Sequence, residues 1–398
     1  MLVLINLLGV IVFLGVGALF SKNRKEIPWR IVVKLVVVNI ILAAFFNVSP
    51  IGRNLVRIAA EGFTAFVNVA YVGIGYALPN WVYVEQMNFV TAALLPLLMI
   101  VPFFDILTYF GIFPFIIRSI GKIIAVLCQT PKFESFYVIE MMFLGHTEAL
   151  AVSKIQLQKM ALDRVLAIAF MSMSCVSASL IGAYCSMMPP EYILTAVPLN
   201  VINAIIVVKI IMPIKINSED DVIFGLDEKK ERPPFFAYLT DSFLSAGRLI
   251  FIITCAFIAF VSLAALVNAI LAFFHPALSL ENILGVFMFP LAFLLGLPAD
   301  EAFILAEYMG KKLITNEFVV MLEAKDVIQN YSPHLRATLT LFATSFANLS
   351  SVGIIIGALK GILTEDKMAV VSKHAGRMML SGLLVSLLTA AIGGIFIW

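Results

Sequence analysis

The chain has 398 residues, of which 62% are hydrophobic and only 13% charged, with a mean hydropathy of +1.03. Soluble domains are about 45–50% apolar and about 25% charged, so an ordinary soluble enzyme, a disordered chain and a nucleic-acid binder are excluded. The net charge of +2 implies no polybasic surface, which leaves a polytopic membrane protein with lipid as its main solvent.

A spanning helix needs about 20 mostly apolar residues. Charge-free runs of that order lie at 2–20, 35–52, 87–104, 165–190, 249–280, 337–359 and 378–398. A shorter run at 193–208, extended to about 213 past Lys209, makes eight expected spans. The first run has no basic residues before it and several after it (SKNRKEIPWR), which reads as a span and not a signal peptide. Residues 51–86 carry Arg53, Arg57 and Glu61 and then GIGYALPNW, which predicts an amphipathic surface helix and a loop.

Lys and Arg concentrate in alternate loops. They are Lys22, Arg24, Lys25 and Arg30, then Arg118 and Lys122, then Lys215, Lys229, Lys230 and Arg232, and finally Lys360, Lys367, Lys373 and Arg377. The MMPPEY loop after span four has neither. Basic loops stay in the cytoplasm, so both termini are expected outside. The cysteines (Cys128, Cys175, Cys185, Cys255) and histidines form no metal or disulfide pattern.

Residues 131–160 and 283–315 are each an apolar segment, a Gly-containing turn and a second segment, with each half too short to cross. Both are predicted to be helical hairpins that enter the membrane and leave on the same side, the first turning at Gly145 and the second at Gly296 and Pro298. Irregular backbone at that depth survives only when buried in protein or facing a cavity. The tips read GHTEALAV and GLPADEAFIL, and each is followed by a span interrupted by small polar residues, SMSCVSASLIG and SFANLSSVG. With the hairpins entering from opposite faces, this is an inverted repeat with paired broken helices, which places a solute near the midplane.

Glu148 and Glu301 stand at the two expected tips, where a carboxylate costs roughly 2.5–3.5 kcal/mol even on lenient scales and so points to use. Hydrogen-bonding a polar solute, binding a cation and carrying a proton are all open to them. Ser172, Ser174, Ser177 and Ser179 interrupt span four, and Asn348, Ser350 and Ser351 interrupt span seven. Such hydroxyls either line a site or join helices. Phe346 either stacks on a planar solute or packs. His146 either bonds a heterocycle or titrates near neutral pH. Asn316 and Glu317, in NEFV, either line the site or cap the next helix.

GHTEA, PADEA, NEFV and SFANLSSVGI, in that order, and the stretch from PKFESF through LIGAY resemble the concentrative nucleoside transporter family over most of residues 87–398, with a looser likeness over 1–86. The resemblance implies a homotrimer in a bacterial cytoplasmic membrane, with nucleosides as partners, no nucleic acid and no cofactor. It also implies a transport domain moving as an elevator against a scaffold. The expected division is N-terminal scaffold 1–128, first hairpin and repeat half 129–213, a cytoplasmic loop and long scaffold helix 214–280, and second hairpin and repeat half 281–398. The family's Gly-Gln-Thr/Ser-Glu tip, which reads the base, falls on Gly145, His146, Thr147 and Glu148, with His in place of Gln. The residue facing the base from span four falls on Ile181. Those holding the ribose fall on Glu301, Asn348 and Ser351. The sodium-binding Asn and paired serines of the family fall on Met141, Val176 and Ser177, which supply too few oxygens. Proton symport is therefore expected, with sodium symport as the alternative. An intramembrane enzyme using the paired carboxylates is the reading of another class, and it lacks a metal motif or an activated nucleophile.

Overall fold

The computed structural model describes residues 1–85, 87–214, 221, 233–276 and 278–398, with all side chains of these except Thr147, Ala256 and Phe260. Among the described residues there are helices and no strands. Apolar sequence in lipid favours helices because every backbone donor then finds its acceptor within the segment. In chain order they are α1 (Leu2–Leu19), α2 (Trp29–Asn47), α3 (Pro50–Ala77), α4 (Pro79–Val82), α5 (Leu97–Tyr109, continuing a π-helical turn Val90–Leu94) and α6 (Ile112–Cys128). Then follow α7 (Lys132–Leu144), α8 (His146–Val152), α9 (Lys154–Lys159), α10 (Leu162–Met171), α11 (Ala178–Cys185) and α12 (Pro190–Ile211). The remainder are α13 (Phe235–Phe274), α14 (Leu280–Phe293), α15 (Ala299–Ile314), α16 (Glu317–Ala324), α17 (Pro333–Ala343), α18 (Leu349–Lys360), α19 (Glu365–Lys373) and α20 (Ala375–Gly394).

Of the eight expected spans, six are single helices and two are the broken pairs α10–α11 and α17–α18. The seventh helix long and apolar enough to cross is α3, 28 residues with a mean hydropathy of 1.3. It covers the expected surface helix and most of the expected loop, because its apolar positions stay in helical register past Glu61. Val56, Val67, Ala70 and Ile74 are buried, while Arg57 and Glu61 pair on the exposed face.

Helices α12 and α20 form the centre, and α1 and α2 pack on them. A polar ladder crosses this centre. Asn39 donates to Asn203 (2.9 Å), Asn203 to Thr389 (2.9 Å), Thr389 to Asn200 (2.6 Å), and Asn200 to the Thr344 carbonyl (2.5 Å). Within the expected scaffold block 1–128, α3 packs on both α2 and α5, and the outer members face different neighbours. Its first two helices bury Val32, Leu35, Asn39 and Ala43 against the repeat halves, whereas α5 packs on α13.

The basic segments gather at one end. Lys22 pairs with Asp163 (2.7 Å), and its amide donates to Ile211 O. Lys209 reaches Gln129 O, and Lys367 reaches the carbonyls of Gln158 and Met160. Lys215, Lys229, Lys230 and Arg232 lie outside the described residues. At the other end of α1, both chain termini meet the α14–α15 turn. Gly296 has φ +83, and a Cβ there would come within 2.7 Å of Leu2 O, 2.9 Å of Asn6 Cβ and 3.0 Å of the Trp398 ring. The His334 ring stacks on Trp398 at 3.9 Å and 13°.

Candidate functional site

The first hairpin is where the sequence places it. Gly145, at φ +100 and ψ 164, separates α7 from α8. Only glycine fits, since a Cβ would stand 3.0 Å from the Glu148 carboxylate and 3.2 Å from Ser177 Cβ. The second hairpin is one helix later than expected. The turn at Gly296 and Pro298 joins α14 to α15 beside the chain termini, while the inner tip is Thr315–Asn316, between α15 and α16. Asn316 caps α16 by accepting from the Val319 amide (3.0 Å). The two halves then correspond: a leading helix (α6, α14), a hairpin (α7–α8–α9, α15–α16), a broken helix (α10–α11, α17–α18) and a plain helix (α12, α20).

Each tip meets the broken helix of the other half. The His146 ring lies 4.3 Å from the Phe346 ring, at 51°. Tyr184 of α11 donates to Glu317 Oε1 (2.9 Å) and packs edge-on to Phe318. Between them is a cavity of about 360 Å³, within the range of ligand sites. His146, Glu148, Asn316, Glu317, Phe318, Phe346, Asn348, Ser350 and Ser351 line it from the hairpins and the second break. Ser245, Arg248, Leu249, Ile252 and Ile253 of α13 close it. A neighbouring cavity of about 170 Å³ shares His146, Glu148, Leu180, Ser245, Leu249 and Phe346 and adds Asp105, Gly145, Ser177 and Ser179.

The breaks themselves supply the polar groups. At the second, Asn348 caps α18, its Oδ1 accepting from the Ser351 amide (2.8 Å), Ser351 Oγ (2.9 Å) and Ser350 Oγ (2.6 Å). Its Nδ2 donates to Glu317 Oε2 (2.9 Å), so the carboxylate is held between Asn348 and Tyr184 with acceptor capacity left for a ligand. At the first, Ser177 and Ser179 share a hydrogen bond of 2.9 Å, and Ser172 bonds Tyr137 (2.7 Å). His146 is buried, and its Nε2 has no hydrogen-bond partner among the described residues. A buried orphan nitrogen facing a cavity is an opening for a ligand group.

Gly145, His146, Glu148, Ser177, Asn316, Glu317, Phe346, Asn348 and Ser351 are thus brought together. Glu301 is not. Its carboxylate accepts from Ser332 Oγ (2.8 Å) at the head of α17 and lines neither cavity, because the turn before it belongs to the outer end of α15. Ile181 is buried off the cavities, and Leu180 takes the facing position. The side chain of Thr147 lies outside the described residues. Met141 and Val176 are enclosed, and no cluster of three metal-ligating His, Cys, Asp or Glu occurs among the described residues. Arg248 and Tyr184 were missed from sequence. A single arginine at the head of the apolar run 249–280 was the available signal for Arg248, and none marked Tyr184.

The chain matches the family described as Na+ dependent nucleoside transporter, in its N-terminal part over residues 8–81 and its C-terminal part over residues 192–394. It is 41% identical to the purine nucleoside transport protein NupG of Bacillus subtilis, over 99% of each chain. It is 28% identical to the nucleoside permease NupC of Helicobacter pylori, over 99% of this chain and 98% of the other. The solved structure of CNTnw in an inward-facing, substrate-bound state superposes with a TM-score of 0.92 at 23% identity, covering 100% of this chain and 98% of that one, a likeness of fold.

Proposed function

The chain belongs to the concentrative nucleoside transporter family as a multi-pass membrane protein, and from that premise we propose that it imports purine nucleosides by proton symport. The observation that carries this reading is the single cavity shared by both hairpin tips and the second break. Glu317, Asn348 and Ser351 match a ribose. A vicinal diol donates to a carboxylate and accepts from an amide and a hydroxyl, and a site built this way strongly rejects analogues lacking the hydroxyls. His146, Phe346 and Leu180 face the base, with the free Nε2 of His146 meeting the five-membered-ring edge of a purine. The name of the Bacillus subtilis relative supports the purine class.

Proton coupling rests on chemistry. Met141 and Val176 stand where sodium would need oxygens, and Glu148 borders both cavities as the carboxylate free to take up a proton. The basic end of the bundle is cytoplasmic and the termini are outside. The tips and breaks travel together as an elevator past α13, whose apolar outer face (Phe251, Ile258, Leu266, Phe273) packs the other two copies of a trimer.

The test is uptake by purified protein in liposomes. Inosine and adenosine are expected to accumulate under an inward proton gradient without sodium. Accumulation driven by a sodium gradient alone overturns the ion assignment, and flux that only equilibrates overturns symport.

A further inference from the structure

Lys312 takes no part in the binding chemistry above, yet it is wholly buried. It lies on α15, four residues before the Asn316 cap. Its ammonium donates to the Phe342 carbonyl and to Ser345 Oγ, both at 2.6 Å, and sits 4.6 Å from the centre of the Phe342 ring. Ser345 in turn bonds Ser386 of α20 (2.5 Å). Phe342 is in the last turn of α17, where the break strips carbonyls of helical partners and the helix end favours a cation. Among the described residues no carboxylate stands within ion-pair distance of this ammonium, and Glu317 opens α16 directly after the Asn316 cap, on the far side of the tip. An ammonium is too costly to bury for packing alone. The first half, built to the same plan, carries uncharged Met141 at the matching place, four residues before Gly145.

We propose that Lys312 is a tethered cation. Its ammonium fills an oxygen-lined cation site between the second hairpin and the second broken helix, and so fixes Glu317 and Asn348 for the nucleoside. It is a positioning residue, since it touches the end of α17 and not the cavity. The site it fills is made of a carbonyl, a hydroxyl and a ring face, a set that would accept any small monovalent cation. Removing the side chain should turn a permanent occupant into an exchangeable one.

The test uses Lys312→Ala and Lys312→Met with methylammonium and sodium as probes. The readout is nucleoside counterflow in liposomes, which needs no ion gradient, together with melting temperature in detergent. Only the counterflow arm rests on the nucleoside reading, and wild-type counterflow checks that reading first. Lys312→Ala is expected to lose about tenfold or more of its counterflow, as for a lost charged hydrogen bond. It should regain several-fold with millimolar methylammonium, which also raises its melting temperature and leaves the wild type unchanged. Lys312→Met, whose side chain blocks the space, should stay inactive with either probe. Wild-type counterflow in Lys312→Met overturns the proposal. So does a Lys312→Ala protein in which neither counterflow nor melting temperature responds to methylammonium or sodium. If Lys312→Ala folds only in methylammonium, the proposal stands; if it fails to fold with either cation present, it is overturned.

Discussion

Glu317 and Glu301 are chemically the same group, and their surroundings divide their work. Glu317 is fixed by Tyr184 and Asn348 at the cavity wall, whereas Glu301 answers a serine at the head of α17. Charged hydrogen bonds contribute about 1.5–3 kcal/mol, so Glu317→Gln is expected to cut nucleoside uptake roughly ten- to hundredfold. Glu301→Gln should transport near the wild-type rate in the same assay, and a comparable loss in both would place the ribose elsewhere. The orphan nitrogen of His146 makes a second contrast. His146→Gln keeps a donor and an acceptor but moves them, and a neutral hydrogen bond contributes about 0.5–1.5 kcal/mol, so purine over pyrimidine preference should change by roughly two- to tenfold in competition. Much of this wall was legible in the sequence, because Gly-His-Thr-Glu and Asn-Leu-Ser-Ser break apolar runs where polarity is expensive. Ile181 came from the family resemblance; the cavities are lined by its neighbour Leu180, on a helix that starts afresh after the break at Ser177.

At the scale of elements, the two halves repeat one order of helices, and the second hairpin is where expectation and structure part. Apolar helices α14 and α15, joined by Gly296-Leu297-Pro298, have the composition of a re-entrant hairpin. A turn at the outer end and a turn at the midplane look alike in sequence, since both need only a breaker between apolar segments. The distinguishing mark was Asn316, a cap residue directly before an acidic first turn. Glycines separate the two kinds of turn by experiment. Gly145→Ala forces a side chain into a backbone region that costs about 1–3 kcal/mol, against the Glu148 carboxylate, so it should lower both uptake and melting temperature. Gly357→Ala, in helix α18 with open space around it, should raise the melting temperature, worth about 0.5–1 kcal/mol. The mouth of the first half is held by Arg164 and Glu134, a buried bidentate pair at 2.7 Å on both bonds. Glu134→Ala removes both of these charge-assisted hydrogen bonds, each worth about 1.5–3 kcal/mol, and should lower the melting temperature.

For the whole molecule, Lys22, Lys209 and Lys367 converge on one end, and Leu2 and Trp398 on the other. Single cysteines at Lys25 and at Trp398 should therefore react with an impermeant maleimide from opposite sides of the membrane, the first only in inside-out vesicles. Labelling of both from one side would contradict the assigned orientation. The polar ladder has a mechanical corollary. It ends on the Thr344 carbonyl, bracing one interrupted helix from behind, while Ser174, inside the other interruption, has a hydroxyl with no hydrogen-bond partner among the described residues. The two hinges are thus unequal in stiffness despite their common plan. Deuterium should enter the amides of 172–177 sooner than those of 344–348, and the compliant member of the pair is the one at which the molecule begins to yield.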